Sequence, residues 1–222
     1  MFSRFNKYDS CPVSLAYQNL SQVDHALTQT SAHNIQDIID LFNDCFFDRF
    51  NTRLVKGNDE PIYLPAGETD INIPAQSYAQ VVFAHGYYAS ALHEIAHWCL
   101  AGEQRRKLVD FGYWYCPDGR TAEQQKTFQQ AEIKPQSIEW ALSIAAGFKF
   151  NVSCDNLSGD EFGNQPDSQA FEQDILKQIN VYLVNGFPPR AQQLMETLAE
   201  RYQQTIPTNI NQFIPSFKLD IK

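Results

Sequence analysis

Apolar residues recur every three or four positions from residue 35 onward, which is the spacing of an amphipathic helix. Phe42 and Phe46 lie on one face of this first helix, and Asn34 is a suitable N-cap. Before that point the chain is polar and shows no period. Residues 1–33 are therefore predicted to be an N-terminal extension of a catalytic domain formed by residues 34–222.

The same spacing predicts five further helices. They cover residues 87–101, 122–131, 136–148, 167–184 and 189–204. Gly102 is expected to lie directly after the first of them as its C′ residue, a position where glycine is common. Pro135 is expected to begin the third, because proline lacks the backbone N–H that an interior helical position needs.

Short extended segments are predicted between the helices. Residues 52–56, 62–64 and 80–83 have the pattern of strands, with glycine and proline between them. Residues 108–115 are aromatic and are predicted to be extended as far as a turn at residues 116–119. Many helices and a few short strands in one domain predict an α+β fold that is predominantly helical.

The composition excludes several classes of protein. The 222 residues include 17 Lys and Arg and 26 Asp and Glu, and the net charge of −9 argues against a general nucleic-acid binder. No apolar run is long enough to span a membrane, so no membrane partner is expected. The five cysteines are scattered and follow no export signal, which predicts reduced thiols in the cytoplasm.

The segment His93-Glu94-Ile95-Ala96-His97 has the most specific chemistry in the chain. On a helix the two histidines lie one turn apart on the same face, so both can bind one metal ion. This is the HExxH arrangement of a zincin-like metal helix. Small and apolar neighbours predict that the helix is buried, where histidines without partners would be costly. Two hydrogen-bonded core histidines are the simpler alternative.

A metal ion on two histidines needs at least one more protein ligand. Glu139 is the only acidic residue of the largely apolar segment 136–148, and a buried carboxylate there needs a cation beside it. A glutamate in the first turn of a helix is also favourable when it faces water. Glu103 and His85 are alternative ligands, and His85 suits contact with the substrate equally well.

Two reaction classes use such a ligand set. With Zn²⁺ and Glu94 as general base, it is the site of a gluzincin-like metallopeptidase. With Fe²⁺, two histidines and one carboxylate leave positions for dioxygen and substrate, as in non-haem oxygenases. The spacing does not choose between them, but a cytoplasmic location favours iron.

The wider sequence is more specific than the motif. The segment from Ala91 to Cys99 is followed by Arg105-Arg106, Asp110-Phe111-Gly112-Tyr113-Trp114-Tyr115 and Pro117-Asp118-Gly119-Arg120-Thr121. These segments closely resemble the bacterial elongation factor P hydroxylase family. The resemblance implies an enzyme that hydroxylates one lysine of elongation factor P. In the family's pathway, a β-lysyl group has already been added to that lysine. It also implies a metal site of two histidines and one carboxylate, which falls on His93, His97 and Glu139. We expect this site to hold Fe²⁺, or Zn²⁺ or another divalent ion, with Glu94 as a group that orients a ligand or relays protons.

A substrate side chain that carries amines needs carboxylates and aromatic faces in its pocket. The candidates nearest to the motif in sequence are Asp110, Tyr113, Tyr115 and Asp118. The alternative is a packed aromatic strand that ends in a turn.

The chain has one region in which basic residues are concentrated. Its members are Arg105, Arg106, Lys107 and Arg120. This region is predicted to dock elongation factor P, which would otherwise meet an acidic enzyme. The alternative is a set of exposed cations near the C-terminus of a helix, where the dipole favours them.

Overall fold

The structure of the protein is a computed structural model, and several segments of the chain lie outside its description. It describes residues 33–58, 60–110, 119–156, 159–160 and 162–213. The predicted N-terminal extension lies almost wholly outside these residues. The helices and strands described below all belong to one unit, Ile35–Lys222.

Five α-helices of the described residues form most of the fold. They are α1 (Ile35–Phe50), α2 (Tyr88–Leu100), α3 (Ala122–Ala146), α4 (Ser168–Asn185) and α5 (Pro189–Tyr202). Short 3₁₀ turns lie at Arg105–Lys107 and Ile210–Gln212. None of the described helices has the length and apolar character of a membrane span. The mostly helical α+β prediction is confirmed.

A small sheet completes the fold. Its strands are β1 (Thr52–Lys56), β2 (Ile62–Leu64) and β3 (Ala79–Phe83), in the order β1-β3-β2. The middle strand pairs parallel with β1 and antiparallel with β2, and all five of its residues are buried. On its other edge β2 forms a bridge with Asp110, which two backbone hydrogen bonds to Tyr63 hold in place. The sheet therefore ends beside the segment that follows α2.

Aromatic side chains from α1 fix the position of α2. The Trp98 ring of α2 lies 5.0 Å from Phe42, 4.9 Å from Phe46 and 5.5 Å from Phe50, measured between ring centroids. Trp98 and its two neighbours Phe42 and Phe46 are almost fully buried. Because aromatic pairs at this separation attract beyond their buried area, this cluster anchors the helix that carries the HExxH segment.

Arginine side chains bind the C-terminal end of α2. Arg190 Nη2, from α5, donates to the carbonyl oxygens of Trp98, Cys99 and Ala101. Arg106 Nη1 donates to Ala101 as well. The prediction that Gly102 directly follows the end of this helix is confirmed, since Ala101 is the C-cap with φ −60°, although Gly102 lacks the positive φ of a left-handed cap. The guanidinium groups satisfy the last carbonyls instead.

Helix α3 is one continuous helix and not the two that were predicted. It begins at a capping box between Thr121 and Gln124 and contains Pro135 in its interior. Pro135 is buried, and so are nearly all the residues from there to Ala146. This burial offsets the roughly 3 kcal/mol that an interior proline costs. Tertiary packing therefore outweighs the local tendency of Pro135 to interrupt the helix.

Candidate metal centre

Helix α2 brings the rings of His93 and His97 to one point. Their Nε2 atoms face each other 3.1 Å apart, because positions four residues apart share a helix face. The His93 side chain is 28% exposed and that of His97 is 17% exposed, so the site is open on one side.

Glu132 of α3 completes the group. Its Oε1 lies 3.2 Å from His97 Nε2, and its Oε2 lies 3.5 Å from His93 Nε2. The Glu132 side chain is only 4% exposed, and Oε2 has no hydrogen-bond partner among the described residues. A buried carboxylate oxygen without a donor is costly unless a cation binds it.

These three side chains fit a divalent metal ion. Within the described part of the chain, one group of three or more metal-binding side chains has ligand atoms that all lie within 4.8 Å of one another, and it consists of His93, His97 and Glu132. Two imidazole nitrogens and a carboxylate suit iron, zinc and other first-row ions.

Glu139 binds the opposite edge of His93. Its Oε2 lies 2.8 Å from His93 Nδ1, seven residues and two turns of α3 away from Glu132. With the proton on Nδ1, His93 donates to Glu139 and presents the lone pair of Nε2 to the metal position. This carboxylate–histidine arrangement is common behind metal ligands. Glu139 is thus brought to the site, where it contacts Nδ1 of His93, while Glu132 lies beside the two Nε2 atoms.

The electrostatics of the group suit a cation. Burial favours the neutral form of Glu132, but the neighbouring His97 and His93 outweigh this effect and lower its pKa to about 2. Burial disfavours protonated His93, but Glu139 and Glu132 outweigh it and raise its pKa to about 10. Positive charge between the carboxylates is therefore stabilised, whether protons or a metal ion supply it.

Glu94 lies on a neighbouring side of α2 and faces a cavity. This cavity lies between α2 and the outer strand β2, and His97 lines it as well. Burial raises the pKa of the Glu94 carboxyl. Glu94 therefore borders the site without belonging to the group of ligand atoms.

Several predicted site residues lie elsewhere. His85 is exposed in the loop before α2, has φ 55° and lies 5.9 Å from the Tyr87 ring between centroids. Glu103 is exposed and pairs with Lys107. The predicted substrate contacts Tyr113, Tyr115 and Asp118 lie outside the described residues.

The predicted basic docking region is divided in the structure. Arg105 pairs with Asp110, and Arg106 binds the end of α2. Arg120 is 1% exposed, lies over the Phe128 ring and binds the backbone and carboxylate of Asp155. Its place in an exposed docking surface is therefore ruled out, because a buried guanidinium cannot meet a partner protein.

Sequence reasoning missed Glu132 for an identifiable reason. The residue falls between the predicted helices 122–131 and 136–148, where no face is defined. In the continuous α3 it lies seven residues before Glu139, so both carboxylates point to the same side. The seven-residue spacing of Glu132 and Glu139 indicates a shared helix face. This signal is usable only if the helix continues through Pro135.

Replacing Glu139 by Gln is expected to weaken metal binding without abolishing it. The amide oxygen still accepts from His93 Nδ1, but the negative charge that raises the basicity of the ligand is lost. Outer carboxylates of this kind contribute about 10-fold to 100-fold in metal affinity. A titration of the metal-free protein with Fe²⁺ under anaerobic conditions measures the effect. An unchanged affinity would contradict the role given to Glu139.

Comparison with known proteins gives the family. Residues 41–213 match the elongation factor P hydroxylase family. The chain is 49% identical over 181 residues to the elongation factor P lysine hydroxylase of Haemophilus influenzae. The aligned segment covers 82% of this chain and 96% of that protein. The matched residues include both helices of the metal centre, α2 and α3. The resemblance found in the motif segments is confirmed, and the chain belongs to the elongation factor P hydroxylase family.

Proposed function

We propose that this protein hydroxylates a lysine side chain of elongation factor P at the centre formed by His93, His97 and Glu132. One observation carries the proposal: two imidazole nitrogens and a buried carboxylate oxygen without a hydrogen-bond donor meet at one point. The chain is also 49% identical to a protein that is named an elongation factor P lysine hydroxylase.

Fe²⁺ is the metal that we assign to this centre. When bound, it would supply the activation of dioxygen that hydroxylation of a C–H bond requires. His93, His97 and Glu132 would hold it, and a set of three protein ligands leaves room for further ones. The charge of Glu132 offsets part of the charge of the ion, which supports binding of a divalent cation in a partly buried site.

The other residues of the site keep the ligands in position and handle protons. Glu139 holds the His93 ring by accepting from Nδ1, so that Nε2 stays directed at the metal position. Glu94 borders the same centre from the cavity. The burial that raises the pKa of its carboxyl helps Glu94 to accept a proton and hold it there.

The proposal also covers the domain organisation. The family match begins at residue 41, which supports residues 34–222 as the catalytic domain and residues 1–33 as an extension. We also propose that the reaction takes place in the cytoplasm, because the scattered cysteines of the sequence are typical of a compartment in which thiols stay reduced.

Co-expression with elongation factor P tests the activity. The wild-type protein is expected to add the mass of one oxygen atom to elongation factor P, which intact-mass measurement detects. Elongation factor P with and without a β-lysyl group on the lysine is compared as substrate. A His97→Ala variant is expected to lose the added mass and the bound iron, because one of the three ligands is gone.

His85→Ala is the matched control, since it removes an exposed histidine outside the ligand group. Its iron content is expected to equal that of the wild type. Full oxygen addition by the His97→Ala variant would overturn the proposal. Zinc in the purified protein together with cleavage of unfolded polypeptides would instead favour the metallopeptidase alternative that the HExxH segment leaves open.

A further inference from the structure

A cavity lies at the outer edge of the sheet, next to the candidate metal centre. It lies between α2 and β2, and His97 is one of its lining residues. Its polar and charged lining residues are Tyr63, Glu94, His97, Arg105, Arg106 and Asp110. A lysine side chain that reaches the metal centre through this cavity would bring its ammonium group into contact with these residues.

Asp110 presents a carboxylate in a fixed position within this cavity. Its backbone N–H donates to the Tyr63 carbonyl at 3.0 Å, and the Tyr63 N–H donates to the Asp110 carbonyl at 2.8 Å. The residue is therefore tied to β2 as an additional bridge of the sheet. Its side chain is 22% exposed, so solvent reaches the carboxylate only in part.

Arg105 is one partner of this carboxylate in the structure. Its Nε donates to Asp110 Oδ2 from the 3₁₀ turn Arg105–Lys107, and its side chain is 32% exposed. A partly exposed ion pair of this kind is weaker than a buried one, because water screens both charges. Another cation of similar size can therefore replace Arg105 at little cost.

From this geometry we infer that Asp110 is the anchor for the substrate ammonium group, and that Arg105 occupies the anchor until the substrate arrives. The inference rests on the proposed function, because the lysine supplies the cation. Asp110 is tied to the sheet, whereas Arg105 belongs to a short turn, so the guanidinium is the group that moves. Binding then exchanges one cation for another on the same oxygen atoms and leaves no buried charge without a partner. The fixed anchor determines which carbon of the side chain faces the metal centre.

The inference predicts opposite effects for the two partners of the ion pair. An Asp110→Asn variant keeps an oxygen acceptor for Arg105 but loses the charge, and its KM for elongation factor P is expected to rise about tenfold or more with little change in kcat. An Arg105→Met variant removes the competing cation, and its KM is expected to fall about twofold to fivefold. Dissociation constants of the iron-loaded variants for elongation factor P, measured without dioxygen, should change in the same directions.

Lys177→Met is the control, because it breaks an exposed ion pair, Lys177–Asp174, on α4 and outside the predicted docking region. Its KM and dissociation constant are expected to remain those of the wild type. An Asp110→Asn variant with a wild-type KM, or an Arg105→Met variant with a raised KM, would show that the ion pair only supports the fold. If the wild type itself adds no oxygen to elongation factor P, the proposed function fails. If the wild type is active but the KM values of the Asp110→Asn and Arg105→Met variants do not differ, only the role given to Asp110 is wrong.

Discussion

Replacing Glu132 by Gln is expected to remove both the metal ion and the hydroxylation of elongation factor P. Glu132 supplies the only carboxylate of the three-residue group, and its oxygens lie 3.2 and 3.5 Å from the two Nε2 atoms. The amide that replaces it is a weaker ligand and brings no negative charge to offset that of the ion. Iron content should fall from about one ion per chain to near zero, and activity should fall by about 100-fold or more.

The comparison with Glu139→Gln makes this prediction specific. Both residues lie on α3, but Glu132 faces Nε2 of both histidines, whereas Glu139 faces Nδ1 of His93. Glu123→Gln removes an exposed glutamate from the first turn of the same helix and serves as the control. If Glu139→Gln lost the iron and Glu132→Gln retained it, Glu139 would be the ligand that the sequence predicts.

Replacing Phe42 by Ala is expected to lower the free energy of unfolding by about 4 kcal/mol. Phe42 is fully buried, and its ring packs against Trp98 of α2 and Phe46 of α1. The truncation leaves a cavity beneath the helix that carries both histidines. For a chain of this length the midpoint of thermal unfolding should fall by about 8–16 °C. Urea and thermal unfolding followed by circular dichroism measure both quantities.

A Phe42→Leu variant separates the loss of volume from the change of residue type. Leucine fills most of the space, and its cost is expected to be roughly 1.5 kcal/mol or less. Both variants should bind iron normally while they are folded, because Phe42 contacts no ligand. Equal stability of Phe42→Ala and the wild type would show that the aromatic cluster does not anchor α2.

The local patterns along the chain predicted most of the elements. The helix that carries His93 and His97 follows from its small and apolar positions, and its boundaries differ from those predicted by about one residue. The three strands were also predicted, because short apolar runs between glycine and proline residues are characteristic of buried strands. The prediction that failed concerns Pro135, which was taken as the start of a helix without knowledge of the tertiary packing around it.

The sequence by itself determined the pair of histidines on one helix face, most of the element order and the family. Two histidines four residues apart lie on the same face of a helix, whatever that helix packs against. The tertiary structure decided the rest of the site. Packing of α3 against α2 keeps Pro135 inside a helix, and it sets Glu132 at Nε2 and Glu139 at Nδ1 of the same ring. Helical spacing defines which residues share a face, but the residue that meets each ring nitrogen depends on contacts between segments about 40 residues apart in the chain.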